Sequence, residues 1–155
     1  LGRTIAVIKE DAMTVRAILD AKGRDVMTVR PDKTLAEAAR LLAEHRIGAL
    51  VVTRGDDRIA GILSERDIVR IVGEQGAAAL DQPVSSAMTS NVKICRESNT
   101  AMELMEIMTR GRFRHLPVEE NGRLDGIISI GDVVKLRIEE VVREAEEMKS
   151  YIATA

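Results

Sequence analysis

The chain has 155 residues, 45% of them apolar, and its 23 basic and 25 acidic side chains leave a formal charge of −2. That length suits one domain or two half-size units sharing a core, and the interspersed charge excludes non-specific nucleic-acid binding. With only Phe113 and Tyr151 aromatic, the core must be aliphatic and no base-stacking platform can be built; one cysteine, Cys95, excludes an internal disulfide and a cysteine metal cluster.

No apolar run reaches the roughly 18 residues of a membrane-spanning helix, and the start lacks a secretory pattern, so the cytoplasm is the expected compartment. Residues 4–8 (Thr-Ile-Ala-Val-Ile) are a short apolar run, strand or linker. From Thr14 as N-cap, Val15, Ile18 and Leu19 share one face of a short helix ending near Gly23. Its counterpart is residues 83–88, where Pro83 suits a first helical turn. Short extended pieces follow, at 26–29 and 92–95, and Cys95 takes the place of Val29 as a small buried hydrophobe.

Thr34 with Glu37, and Thr100 with Glu103, spell capping boxes. Behind them Leu35, Ala38, Ala39 and Leu42, and then Ala101, Leu104, Met105 and Met108, form helical apolar stripes. Gly48 follows the first of these helices and Gly111 stops the second. Strands at 49–52 and 116–118 turn through Gly55-Asp56-Asp57 and Asn121-Gly122 into strands at 59–63 and 124–128. Pro117 has no amide to donate, so its strand must tolerate the omission. A helix from Asp67 to about Val72 leads into a Gly/Ala-rich joint at 73–82. After Asp132 the helix instead continues. Val134, Ile138, Val141, Ala145, Met148 and Ile152 recur at alternating spacings of four and three, a seam of coiled-coil type that the N-terminal segment or a partner subunit must cover.

Two stretches organise this pattern. Gly61-Ile62-Leu63-Ser64-Glu65-Arg66-Asp67 and Gly126-Ile127-Ile128-Ser129-Ile130-Gly131-Asp132 stand 65 residues apart. Thr34 to Asp67 corresponds to Thr100 to Asp132 with one residue fewer, a period too long for a solenoid unit, so the chain is a duplicated module. As local structure each Ser-x-x-Asp is a further capping box, with Asp in the role of Glu. The same helix start favours a phosphate's negative charge.

Each half reads short helix, strand, helix, strand, strand, helix, and closes on Gly, two apolar residues, Ser and Asp. In this the chain resembles a pair of CBS domains, the Bateman module: repeat 1 over 10–75, repeat 2 over 76–140, and a helical extension over 141–155. The resemblance implies an α/β (α+β) fold, with tandem CBS domains packed sheet against sheet about a pseudo-two-fold axis and a long C-terminal helix. It also implies two clefts for adenosine compounds: AMP foremost, with ADP, ATP, NAD(H) and S-adenosylmethionine. Such pairs regulate an enzyme, transporter or channel, here in trans because the sequence holds no effector domain, and they commonly form homodimers.

By motif position, Asp67 and Asp132 resemble the residues that hold ribose hydroxyls, and Ser64 and Ser129 those that contact ribose or phosphate. Ile47, Gly48 and Ala49, and Arg114, His115 and Leu116, correspond to the adenine contacts at the start of the second strand. Ile18 and Asp20, with Met88 and Thr89, come from the segment before the first strand. Arg112, Arg114 and His115 form the densest basic cluster, and Arg66 lies beside the first aspartate where repeat 2 has Gly131, so unequal clefts are expected. An exposed Asp20 is expected to discriminate against phosphate near the first cleft, while Lys22, Arg46 and Lys135 read as solvated. Catalysis finds little support: His45 and His115 are the only histidines, and no nucleophile constellation or metal-ligand set accompanies them. The alternative to a nucleotide sensor is a ligand-free structural or protein-interaction module.

Overall fold

Apolar stripes become helices where a cap and a packing face coincide. The computed structural model describes residues 14–154, so the apolar run at 4–8, and its suggested role in covering the seam, lie outside the described residues. Five α-helices are described: Val15–Lys22 (α1), Leu35–His45 (α2), Glu65–Gln75 (α3), Ala101–Gly111 (α4) and Ile130–Thr154 (α5). Thr34 and Glu37 close a full capping box on α2. The box on α4 is only half closed. The Glu103 amide donates to Thr100 Oγ1, but the Glu103 carboxylate takes the side-chain amide of Asn99 at 2.7 Å instead of the Thr100 backbone.

Gly48 follows α2 as expected, and the stop expected at Gly111 falls one residue later. Arginines occupy the left-handed cap positions, Arg46 at φ 52° and Arg112 at φ 57°. The amides of Ile47 and Phe113 reach back to the carbonyls of Leu42 and Met108, a closure that suits the apolar residue after each cap. Gly111 is the last helical residue instead, and a Cβ there would strike the Phe113 ring. Helix α3 also runs through Gly73 to Gln75, past the expected end at Val72, before a 3-10 turn at Ala77–Asp81.

Thr28–Val29 (β1), Ala49–Arg54 (β2) and Arg58–Ser64 (β3) form a sheet in that order, β1 parallel and β3 antiparallel to β2. His115–Glu120 (β4) and Arg123–Ser129 (β5) pair as a hairpin, turned by Asn121 and Gly122 at φ 54° and 77°, the mirror-type turn that matches strand twist. The extended piece expected at 92–95 shrinks to one parallel bridge, Cys95 to Val118. Pro117 explains this, because the next rung would need its missing N–H.

The chain divides into two compact units that are interleaved along the sequence. Among the described residues, one comprises 14–24, Cys95–Val118 and 126–154; the other comprises Asp25–Ile94 and Glu119–Asp125. The core of the first joins Val15, Ile18 and Leu19 of α1 to Leu104, Leu116, Ile128 and Val133. The core of the second joins Leu35, Leu50, Leu63 and Ile71 to Val84, with Met88 packed against them. Helix α1, at the start of repeat 1, therefore packs in the core built on repeat 2, and the leading segment of repeat 2 packs in the core built on repeat 1.

Equivalent backbone bonds seat both segments. Val15 and Arg16 donate to the carbonyls of Asn99 (2.9 Å) and Glu97 (3.1 Å); Val84 and Ser85 donate to those of Lys33 (2.7 Å) and Pro31 (3.0 Å). Because these carbonyls satisfy the first amides of α1, Thr14 holds the N-cap position without a side-chain cap bond. Helix α5 packs Val133 and Leu136 on its unit's core and buries Glu140, to which Arg137 donates at 3.1 Å. Every residue from 141 to 153 is exposed.

Candidate functional site

Both motif glycines lie where the exchanged segment comes closest. A Cβ at Gly61 would sit 2.7 Å from the Thr89 carbonyl and 2.9 Å from Met88 Sδ; one at Gly126 would sit 2.6 Å from Leu19 Cδ2. Thr89 exchanges two backbone hydrogen bonds with Ile62, at 3.0 and 2.9 Å. Two strand starts are tied to the helix starts in the same way. The Glu65 amide donates to the Gly48 carbonyl at 3.0 Å, and the Ile130 amide to the Arg114 carbonyl at 2.8 Å.

At each helix start the serine and aspartate cap one another. Asp67 Oδ2 accepts from the Ser64 amide (2.8 Å) and hydroxyl (3.0 Å), and the Asp67 amide donates back to Ser64 Oγ. Asp132 Oδ2 accepts from the Ser129 amide at 2.9 Å, and its own amide donates to Ser129 Oγ at 3.1 Å. The capping reading is thus correct as geometry. It uses one oxygen of each carboxylate, which has about four lone-pair sites in all.

What distinguishes the two is a cation. Lys22 of α1 donates to Asp132 Oδ2 at 2.7 Å, with both side chains largely covered. At the first motif, Arg70 approaches Asp67 Oδ1 only to 3.6 Å and is itself mostly exposed. Burial alone would push the Asp132 carboxyl up; the Lys22 ammonium together with the Ser129 amide and hydroxyl outweighs it and holds that carboxyl below its ordinary value. A depressed carboxylate contributes stability above its unfolded pKa of about 3.9 and loses it as pH falls through the folded value. Lys22→Met is therefore expected to be less stable than the wild type at pH 7. The gap should close below about pH 4, as followed by denaturant unfolding across that range.

The exchange regroups the residues expected at the clefts. One unit holds Ile47, Gly48, Ala49, Ser64, Arg66, Asp67, Met88 and Thr89; the other holds Ile18, Asp20, Arg112, Arg114, His115, Leu116, Ser129 and Asp132. Asp20 belongs to the Asp132 unit, and Arg24 pairs with it at 3.0 Å while also bridging to Glu97. Ile18, Ala49 and Leu116 are buried, so they offer mainly backbone. Arg66, Arg112 and Arg114 are exposed and His115 is half-buried. Ile47 and Gly48 line an open groove of about 540 Å³ with Leu42, Arg46, Ile68 and Val69, and neither Ser64 nor Asp67 lines it. Sequence reasoning missed Lys22, which is corrected from solvated to ion-paired. Its spacing of four from Ile18 was the available signal, since the two share a helical face.

These features define a class: a duplicated α+β module whose halves trade their leading segments and present a capped Ser-x-x-Asp helix start. The family model for the CBS domain matches residues 7–74 and 84–139, and the chain belongs to that family. An uncharacterised 17.7 kDa protein of Acidianus ambivalens is 38% identical over 129 residues, covering 80% of this chain and 77% of its own. The crystal structure of a CBS-domain-containing protein of Agrobacterium tumefaciens superposes with a TM-score of 0.78 at 61% identity, covering 81% and 94%. The fold is shared more distantly by CBSX2, solved in complex with AMP, with a TM-score of 0.66 at 23% identity over 74% and 89% of the two chains. Among the described residues no helix is long and apolar enough to cross a membrane.

Proposed function

We propose that the chain is a non-catalytic regulatory sensor. It binds an adenine nucleotide, AMP foremost, at its Ser-x-x-Asp helix starts, and passes occupancy to a cytoplasmic enzyme or transporter in trans. The carrying observation is Asp67. Its Oδ2 completes the cap while Oδ1 makes no hydrogen bond among the described residues, leaving it available to ribose hydroxyls beside a helix start that favours phosphate. CBSX2 with AMP supports the choice of ligand.

The two helix starts are unequal in this reading. Asp132 must give up or share Lys22 before it takes a ribose, so the repeat 1 position fills first. The same ion pair favours a structural role for the repeat 2 motif until the nucleotide concentration is high. Exposed Arg66, and Arg112 with Arg114, are the cations offered to phosphate. Two chains associate as a homodimer through the exposed seam of α5.

Thermal melting tests the ligand. Nucleotide at 100 times its dissociation constant is expected to add about 2.7 kcal/mol, visible as a rise in Tm. Melting curves left in place by millimolar AMP, ADP, ATP, NAD(H) and S-adenosylmethionine alike would refute the sensor reading.

A further inference from the structure

The exposed half of α5 carries its own instructions for orientation. Its seam is 43% exposed at Val134 and 69% exposed at Ile152, and residues 141–153 are exposed without exception. A single helix of this length is marginal in water without a packing partner. In heptad terms Ile138, Ala145 and Ile152 occupy the a positions, and Val134, Val141 and Met148 the d positions. Lys135, Val142 and Lys149 then fall at e; Arg137, Glu144 and Tyr151 fall at g.

Flanking charge separates the two ways of pairing this seam with itself. In a parallel pair each g residue faces the e residue five positions on in the other helix, so Glu144 meets Lys149 of the second copy, twice. Arg137 would face Val142, and it is already engaged by Glu140 within its own chain. In an antiparallel pair the same seam layers Ile138 on Met148 and Ala145 on Val141. That arrangement sets Lys135 against Lys149, twice, and Glu144 against Glu144.

We infer that α5 joins α5 of a second copy as a parallel two-stranded coiled coil, with the Glu144–Lys149 pairs fixing its direction. This rests on the homodimer reading and adds the orientation. The axis of symmetry then runs along the coil, and both folded bodies lie at the same end of it.

Sedimentation equilibrium of the full chain over a hundredfold concentration range is the test, with Lys149→Glu as the deciding variant. Parallel pairing makes that change repulsive, and the dimer should weaken about tenfold. Glu144→Lys combined with Lys149→Glu should restore it. Antiparallel pairing predicts the opposite sign, because the introduced carboxylate would meet Lys135, so a tighter dimer overturns the inference. Ile152→Cys supplies a second readout that needs no change of charge. Oxidation should crosslink it in a parallel pair, whereas an antiparallel pair would hold the two thiols roughly 27 Å apart along the axis. Cys95, buried in the core, does not compete. A dimer indifferent to the charge changes and not crosslinked overturns the coiled coil and leaves the homodimer standing. A wild-type chain that stays monomeric overturns both.

Discussion

A chain that begins at Asp25, and so lacks α1, is expected to lose the fold of the unit built on repeat 2 while keeping that built on repeat 1. Helix α1 buries Val15, Ile18 and Leu19 in the first core, two of them completely. At about 1.5–3 kcal/mol for each buried aliphatic side chain, the loss is roughly 5–9 kcal/mol. That is comparable with the whole stability of a small domain, about 5–15 kcal/mol. Hydrogen exchange should show α4 and the start of α5 unprotected and β2 and β3 still protected. Leu19→Ala should act in the same direction by about 3–5 kcal/mol. Full protection of α4 in the shortened chain would show that α1 is an accessory.

Nucleotide affinity should respond unequally to the two aspartates. Asp67→Ala is expected to weaken the tighter site by roughly 1.5–3 kcal/mol, the worth of hydrogen bonds to a charged acceptor, and to cost about 1 kcal/mol of stability through the lost cap. Asp132→Ala should leave the tighter site nearly unchanged, because Lys22 already engages that carboxylate. Lys22→Met with Asp132 intact should raise the apparent number of sites filled at a given nucleotide concentration. Calorimetry on the three variants separates affinity from stability. Equal affinity in all of them would leave the aspartates as caps and nothing more.

The sequence was readable wherever the physics is local. A hydroxyl and a carboxylate three residues apart announce a cap, and Thr34 with Glu37 and Ser64 with Asp67 both close one. Duplication was readable too, because the same spacing recurs on the same kinds of residue. Thr100 shows the limit: Asn99, its immediate neighbour, takes the Glu103 carboxylate that the three-residue rule assigns to the cap. The stop of α4 was placed one residue early because glycine is only the commonest left-handed residue, and an arginine there can be held by the bond from the following amide. The exchange of leading segments was out of reach. Nothing in Val15, Ile18 and Leu19 tells a reader which of two similar cores they enter, and the pairing of Lys22 with Asp132, 110 residues away, depends on that choice.

The exchange also sets a timetable for synthesis. The second core, Val29 through Met88, is complete once the chain has emerged a little past residue 88. The first core contains Leu19 but also Val133, so the apolar face of α1 leaves the ribosome early and waits for its slot. At about 5–20 residues per second, the roughly 114 residues between those two take on the order of ten seconds. Throughout that interval Val15, Ile18 and Leu19 are available to whatever binds nascent hydrophobic helices, and the half of the protein that starts first is finished last.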